Sequence, residues 1–148
     1  VWPGESRKKP SAILRNEETE KWLYPAGFYC LVRRFSSKEE TRRIVARVLD
    51  PAELGEHHMV GLENYFNVFH DKKKGLQKEL AYGLAVYLNS TAVDQQFRRF
   101  NGHTQVNATD LKLMKYPSRE TLINLGSWAM KQAEMDQGSI DRKMEDIL

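Results

Sequence analysis

Hydrophobic positions along the chain change their period partway through, and the change divides the sequence into two kinds of structure. Residues 1–21 are polar and contain Pro3, Gly4 and Pro10, which predicts an extended lead-in. Pro25-Ala26-Gly27 then punctuates a turn after Trp22-Leu23-Tyr24, and Phe28-Tyr29-Cys30-Leu31-Val32 is an unbroken apolar and aromatic run of strand length. Ser36 to Thr41 is a polar connection, followed by Ile44-Val45-Ala46-Arg47-Val48-Leu49 and the stop Asp50-Pro51. Ser37 and Glu40 have the spacing of a helix capping box. The β-branched run after them favours a second strand paired with the first as a hairpin. Met59 to His70, with Leu62, Tyr65, Phe66, Val68 and Phe69, predicts a third strand.

After the polar turn Asp71-Lys72-Lys73-Lys74-Gly75, Leu76, Leu80, Leu84 and Leu88 recur every fourth residue, which predicts a helix with one buried stripe. Gly83 inside that helix costs roughly 1 kcal/mol against alanine, so a close neighbour is expected there. Asn89-Ser90-Thr91 breaks the helix, with Thr91 and Asp94 spaced to cap a second one that buries Val93, Phe97 and Phe100 and ends at Asn101-Gly102. His103 to Asp110 is a polar loop, and Leu111, Leu113 and Tyr116 alternate toward Pro117 as a short strand. Ser118 caps another helix with Leu122, Leu125, Trp128, Ala129 and Met135 inward, and Gly138-Ser139 separates a last helical segment, Ile140 to Leu148. The sum is an α+β chain: a small antiparallel sheet within 22–70, then a helical C-terminal half from residue 76.

Composition narrows the class. The 148 residues suit one domain, long enough to bury a core without staples. No apolar run is long enough to span a bilayer, so no membrane role is expected. One cysteine, Cys30, leaves no internal disulfide framework and makes a reducing, cytoplasmic setting the default; set in an apolar run, it reads as a buried, inert thiol. The start at Val1 rather than Met hints at a piece of something longer. Charge is unevenly spread: 11 basic and 7 acidic residues in 1–50, 8 and 7 in 51–117, 4 and 6 in 118–148. A basic body with an acidic tail suits a body that meets a polyanion.

The candidate chemistry is that of binding. There is no glycine-rich phosphate loop, no cysteine pair for zinc, and no nucleophile elbow. His57-His58 are adjacent and lack the spacing of a metal pair, so neither a metal site nor a catalytic residue is expected. Arg33-Arg34 closes the first strand and Arg42-Arg43 opens the second, so a hairpin gathers them at its turn end with Lys38. They form a phosphate clamp, or offer one arginine to a guanine edge, or are a surface partly neutralised by Glu39 and Glu40; on a strand only one of each pair can face a shared surface. Arg98-Arg99 at a helix end is followed by Asn101, His103, Thr104, Gln105, Asn107 and Thr109 with little apolar between. Such side chains suit hydrogen bonding to base edges and phosphates, or a loop that satisfies itself and caps the next element. Lys72-Lys73-Lys74 reads as a solvated turn.

Three stretches, GFYCLVRRFSSKEETRRIVA (27–46), VGLENYFNVFH (60–70) and GLQKELAYGLAVYLNSTAVDQQFRRFNGHTQVNATDLKLMKYPS (75–118), resemble, in this order, the C-terminal portion of adenine-specific DNA methyltransferases of bacterial type II restriction–modification systems. The lead-in Trp2-Pro3 with Lys9-Pro10-Ser11-Ala12-Ile13 is similar to the stretch before that portion, so the resemblance covers roughly residues 2–126. It implies a parent enzyme with an N-terminal Rossmann-like domain that binds S-adenosylmethionine and holds a flipped adenine with an Asn-Pro-Pro-Tyr/Phe motif. This chain has no Asn-Pro pair, so the implied catalytic half is missing and the chain should not methylate DNA by itself. The implied role is target recognition on double-stranded DNA, with the parent's catalytic domain as partner and no cofactor in this portion.

The expectation is therefore a target-recognition domain over residues 1–126 (lead-in 1–21, sheet 22–70, helical part 76–126) and a helical tail over 127–148. The DNA-contacting candidates are Arg33, Arg34, Lys38, Arg42 and Arg43 at the hairpin, and Arg98, Arg99, His103, Gln105 and Asn107 in the polar loop. The rival reading is a structural module whose helices pack on the parent while the loop merely caps them.

Overall fold

The structure, a computed structural model, describes residues 15–62 and 64–148. Most of the lead-in, residues 1–14, lies outside the described residues. The chain is α+β, with strands confined to the first half and the longer helices to the second. The apolar run becomes β2 (Tyr29–Arg33), the middle strand of a three-stranded antiparallel sheet between β3 (Ala46–Leu49) and β5 (Phe66–Phe69). The hairpin is as expected, with Tyr29 opposite Leu49 and Val32 opposite Ala46. The run is continuous because both faces of β2 are covered: Tyr29 and Leu31 enter one apolar cluster, Cys30 and Val32 the other. Burial also pushes the Cys30 thiol pKa well above its ordinary value, which leaves it an inert core group.

The stretch 59–70 is two strands, not one. β4 (Met59–Gly61) pairs with β1 (Leu23–Pro25) as a separate two-stranded ribbon, and β5 turns back along β2. Leu62 to Tyr65 forms the link, so the two apolar halves serve different sheets. Tyr24, Val60 and Leu62 line the cluster around Tyr29, Leu31 and Leu49.

The other face of the sheet carries α1 (Lys78–Leu88). Its buried residues are not one stripe: Leu80, Ala81, Gly83, Leu84, Ala85, Val86, Tyr87 and Leu88 are all enclosed. The sheet covers one side of α1 and α4 (Arg119–Met130) covers another. Gly83 is the expected point of close approach. A Cβ there would stand 1.8 Å from the Leu122 carbonyl oxygen, and one on Gly126 would stand 1.7 Å from that of Glu79. The two helices touch backbone to backbone through paired glycines.

α2 (Thr91–Phe100) is capped by Ser90, whose hydroxyl accepts the Val93 N–H, rather than by Thr91. Thr91 instead donates its hydroxyl to Asp141 at 2.6 Å, fastening α5 (Gln137–Glu145) to the start of α2. Phe100 is 46% exposed, so it is not part of the core. Leu111 to Tyr116 is not a strand. Asp110 accepts the Asn107 N–H at 3.2 Å and opens a short helix, α3 (Ala108–Leu113), that buries Leu111 and leaves Leu113 73% exposed. Ser118 caps α4 as expected, but Met135 lies beyond its end and is exposed. α5 starts earlier than the glycine suggested, because Asp136 accepts the Ser139 N–H at 2.7 Å and draws Gly138 into the first turn. Its Ile140 and Met144 join the main core. Residue 126 lies inside α4.

The paired glycines give a direct test of this packing. Gly83→Ala or Gly126→Ala is expected to lower stability by ~3 kcal/mol, because main chain and not a pliable side chain must move. Gly102→Ala, with nothing within 4 Å of its added Cβ, is expected to change stability by less than about 0.5 kcal/mol. Urea unfolding midpoints of the three variants check this; equal midpoints would contradict it.

Candidate nucleic-acid interface

The link from β2 to β3 is long, residues 34–45, and it lies against the loop 101–107 that follows α2. Main-chain pairing joins the two: the Ser36 N–H donates to Thr104 O (2.9 Å), the Val106 N–H donates to Arg34 O (2.6 Å), and Phe35 bridges to Gln105. The loop thus extends the sheet end as an irregular extra strand. Asn67 on β5 donates its amide to Val106 O at 2.6 Å and holds the loop from the other side.

A buried polar cluster fixes these loops. Asp94 on α2 accepts the N–H groups of Arg43 (2.8 Å) and Ile44 (2.9 Å) with one oxygen, and Arg98 Nε (2.9 Å) with the other. Arg43 is 1% exposed. Its guanidinium donates to Ser36 Oγ at 2.9 Å, to Asn101 Oδ1 at 3.2 Å and to the His103 carbonyl. Asn101 completes the loop by accepting the His103 N–H (2.9 Å) and donating to Gln105 O (3.1 Å) and Asp110 (2.7 Å). Burial acts to raise the Asp94 pKa. The hydrogen bonds from Arg98, Ile44 and Arg43 outweigh it and hold the carboxyl below its ordinary value.

The ten candidate residues fall into three groups. Lys38, Arg99 and His103 have exposed side chains, and Arg33, Arg34 and Gln105 are partly exposed. All but Arg99 belong to the two paired loops or to the strand end that enters them, and Arg99 is on the last turn of α2, beside Arg98. Arg33 pairs with Glu40, and Arg34 donates at 3.4 Å to Asn64 O. A second group holds the scaffold. Arg98 uses all three nitrogens inside the chain, on Asp94, Lys38 O (2.9 Å) and Glu40 O (2.7 Å). Asn107 is the N-cap of α3. Arg43 is the main departure from expectation: it is a buried tie between loops and has no surface to offer a phosphate. Arg42 forms the third group. It is turned to the opposite end of α2, where it donates to Ser90 O (3.1 Å) and Gln137 (3.2 Å). The hairpin end therefore does not gather four guanidiniums on one face.

The structure adds two residues that charge reasoning passed over. Phe35 is 44% exposed and Tyr65 46% exposed, with their rings in edge contact at 6.2 Å beside Arg34. The available signal was the triplet Arg-Arg-Phe, which occurs at 33–35 and again at 98–100 and ends both times in an exposed ring. Among the described residues no group of three or more His, Cys, Asp or Glu side chains could hold a metal ion. No described helix is long and apolar enough to cross a membrane.

This α+β chain is homologous to a portion of type II methyltransferases. The chain is 60% identical over 142 residues to the type II methyltransferase M.BsuBI of Bacillus subtilis, an alignment covering 95% of this chain and 28% of that protein. It is 46% identical over 141 residues to the type II methyltransferase M.PstI of Providencia stuartii, covering 95% and 27%. The chain thus spans under a third of the length of these curated relatives. No family model and no solved structure matches it.

The Asp94 cluster predicts an acid-sensitive fold. The folded chain releases the Asp94 proton more readily than the unfolded chain. Its contribution is therefore intact above the ordinary aspartate value of about 4 and is lost as pH falls through the lower folded value. Asp94→Asn is expected to cost about 2 kcal/mol at neutral pH, since an amide cannot accept all three donors. The gap between variant and wild type should narrow as unfolding is measured from pH 6 down to about pH 3. A gap independent of pH would contradict this role.

Proposed function

We propose that this chain is the DNA target-recognition portion of an S-adenosylmethionine-dependent adenine DNA methyltransferase from a bacterial restriction–modification system, acting in the cytoplasm. The observation that carries the reading is the main-chain pairing of 34–36 with 104–106. It joins Arg33, Arg34 and Lys38 to His103 and Gln105 on one end of the sheet, in a chain homologous to part of type II methyltransferases. Lys38, Arg34 and Arg99 would neutralise phosphates, which supplies most of the affinity and its salt dependence. Gln105, whose amide both donates and accepts, and His103 would meet base edges, which supplies discrimination.

Methyl transfer would belong to the rest of the parent enzyme. Among the described residues, Gly27 and Gly75 pack against each other, and Gly83 and Gly126 are spent on the α1–α4 contact, so these four open no cofactor-type loop. The parent's catalytic domain would bind the cofactor and receive the adenine swung out of the duplex.

Fluorescence anisotropy with a labelled mixed-sequence duplex, over a range of salt, tests the reading. Wild type should bind with an affinity that falls as salt rises. Arg99→Ala should weaken binding and reduce the log–log salt slope by about 0.9, the value for one lost phosphate contact. Arg98→Ala should also weaken binding, but with a fall in thermal stability, because it releases Asp94 and the 38–40 turn. Absence of salt-dependent duplex binding would leave the packing module as the function.

A further inference from the structure

Phe35 and Tyr65 form an exposed aromatic pair whose setting is rigid. Phe35 is bridged to Gln105, and the Arg34 N–H donates to the Tyr65 carbonyl at 2.7 Å, so both rings project from paired main chain. Their rings meet edge to face at 6.2 Å, and the Arg34 guanidinium lies over Phe35 at 5.9 Å. The Nε atoms of Arg33 and Arg34 are enclosed without a hydrogen-bond partner. Being enclosed, those atoms are out of a ligand's reach; what stands beside the rings is the partly exposed Arg34 guanidinium, whose Nη1 donates to Asn64 O at a long 3.4 Å. Two large apolar rings left in water beside a guanidinium call for a partner that is flat and apolar in one part and anionic in the next. A nucleobase out of its stack, with a phosphate on either side, has that chemistry. An apolar peptide or a lipid tail would account for the rings but not for the Arg34 cation laid over Phe35.

We infer that Phe35 and Tyr65 are a stacking platform for an unpaired base in DNA, with Arg34 holding a flanking phosphate. This rests on the DNA-binding reading above and adds a preference within it: a duplex with an opened base pair should bind more tightly than the intact duplex. Base–aromatic stacking is tolerant of base identity, so the platform supplies affinity for the opened state and not sequence choice.

The test uses the whole chain, an intact duplex, and the same duplex with one abasic site opposite 2-aminopurine. Wild type should prefer the abasic duplex and quench the 2-aminopurine fluorescence. Phe35→Ala and Tyr65→Ala should each lose about 5- to 30-fold in affinity for that duplex, with little change on the intact one and no quenching. Phe35→Trp and Tyr65→Phe, which keep a ring, should retain the preference, and near-ultraviolet dichroism should show all four variants folded. Equal wild-type binding to both duplexes, or alanine variants that keep the preference, would overturn the platform while leaving duplex binding intact. Loss of all DNA binding by wild type would overturn the underlying reading as well. Self-association of the chain that Phe35→Ala abolishes would assign the rings to a second copy and overturn the proposal.

Discussion

Asp94 is a carboxylate withdrawn from water, and its donors decide the shape of the molecule's sheet end. Two of them are the main-chain N–H groups of Arg43 and Ile44, just before β3, and the third is Arg98 one turn further along α2. Removing such an acceptor leaves main-chain donors unpaired inside the fold, which is why the position depends on charge and geometry together. Arg43 then reaches from this fixed point to Ser36, Asn101 and His103, so two loops that are sixty residues apart in sequence share one anchor. Ordering these loops costs conformational entropy, and the polar cluster with the flanking main-chain pairs is what offsets it.

Behind the cluster the scaffold is stiff for a separate reason. β2 is covered on both faces, α1 is enclosed between the sheet and α4, and the glycine contacts at Gly83 and Gly126 leave no slack between those helices. Asn89, at the end of α1, both donates to and accepts from the Ala46 main chain at 2.8 and 2.9 Å, tying the helix to β3. The loops at 34–45 and 101–107 are thus mounted on packed elements, the arrangement in which loop side chains can recognise a partner without a large ordering cost on binding.

Much of this was legible in the sequence where one local signal dominated. The apolar run at 28–32, the four-residue leucine spacing from 76 to 88, the misplaced glycine at 83 and the serine at 118 each reported a strand, a helix, a close contact and a cap. The misses share a cause, which is that the deciding partner was distant or hidden in a polar side chain. Met59 to His70 reads as one strand because nothing local says that its halves pair with different strands. Asn107 and Asp110 looked like loop chemistry, yet together they start α3. Arg43 carried the same charge as Arg33, Arg34 and Lys38. Only Ser36 together with Asn101 and His103, fifty-eight and sixty residues away, reveals that its guanidinium faces inward. In the candidate interface the charges were visible beforehand, whereas Phe35 drew no reading of its own and Tyr65 read only as part of a third strand.

The central claim is that the loops fastened by Asp94 and Arg43 form one surface that receives DNA. Hydrogen–deuterium exchange of the chain, free and with excess duplex at low salt, tests it most directly. Protection gained on binding should appear together in segments 33–40, 64–66 and 98–106, with the α1–α4 contact unchanged. Protection confined to α4 and α5, or none in the paired loops while the duplex is bound, would contradict the account.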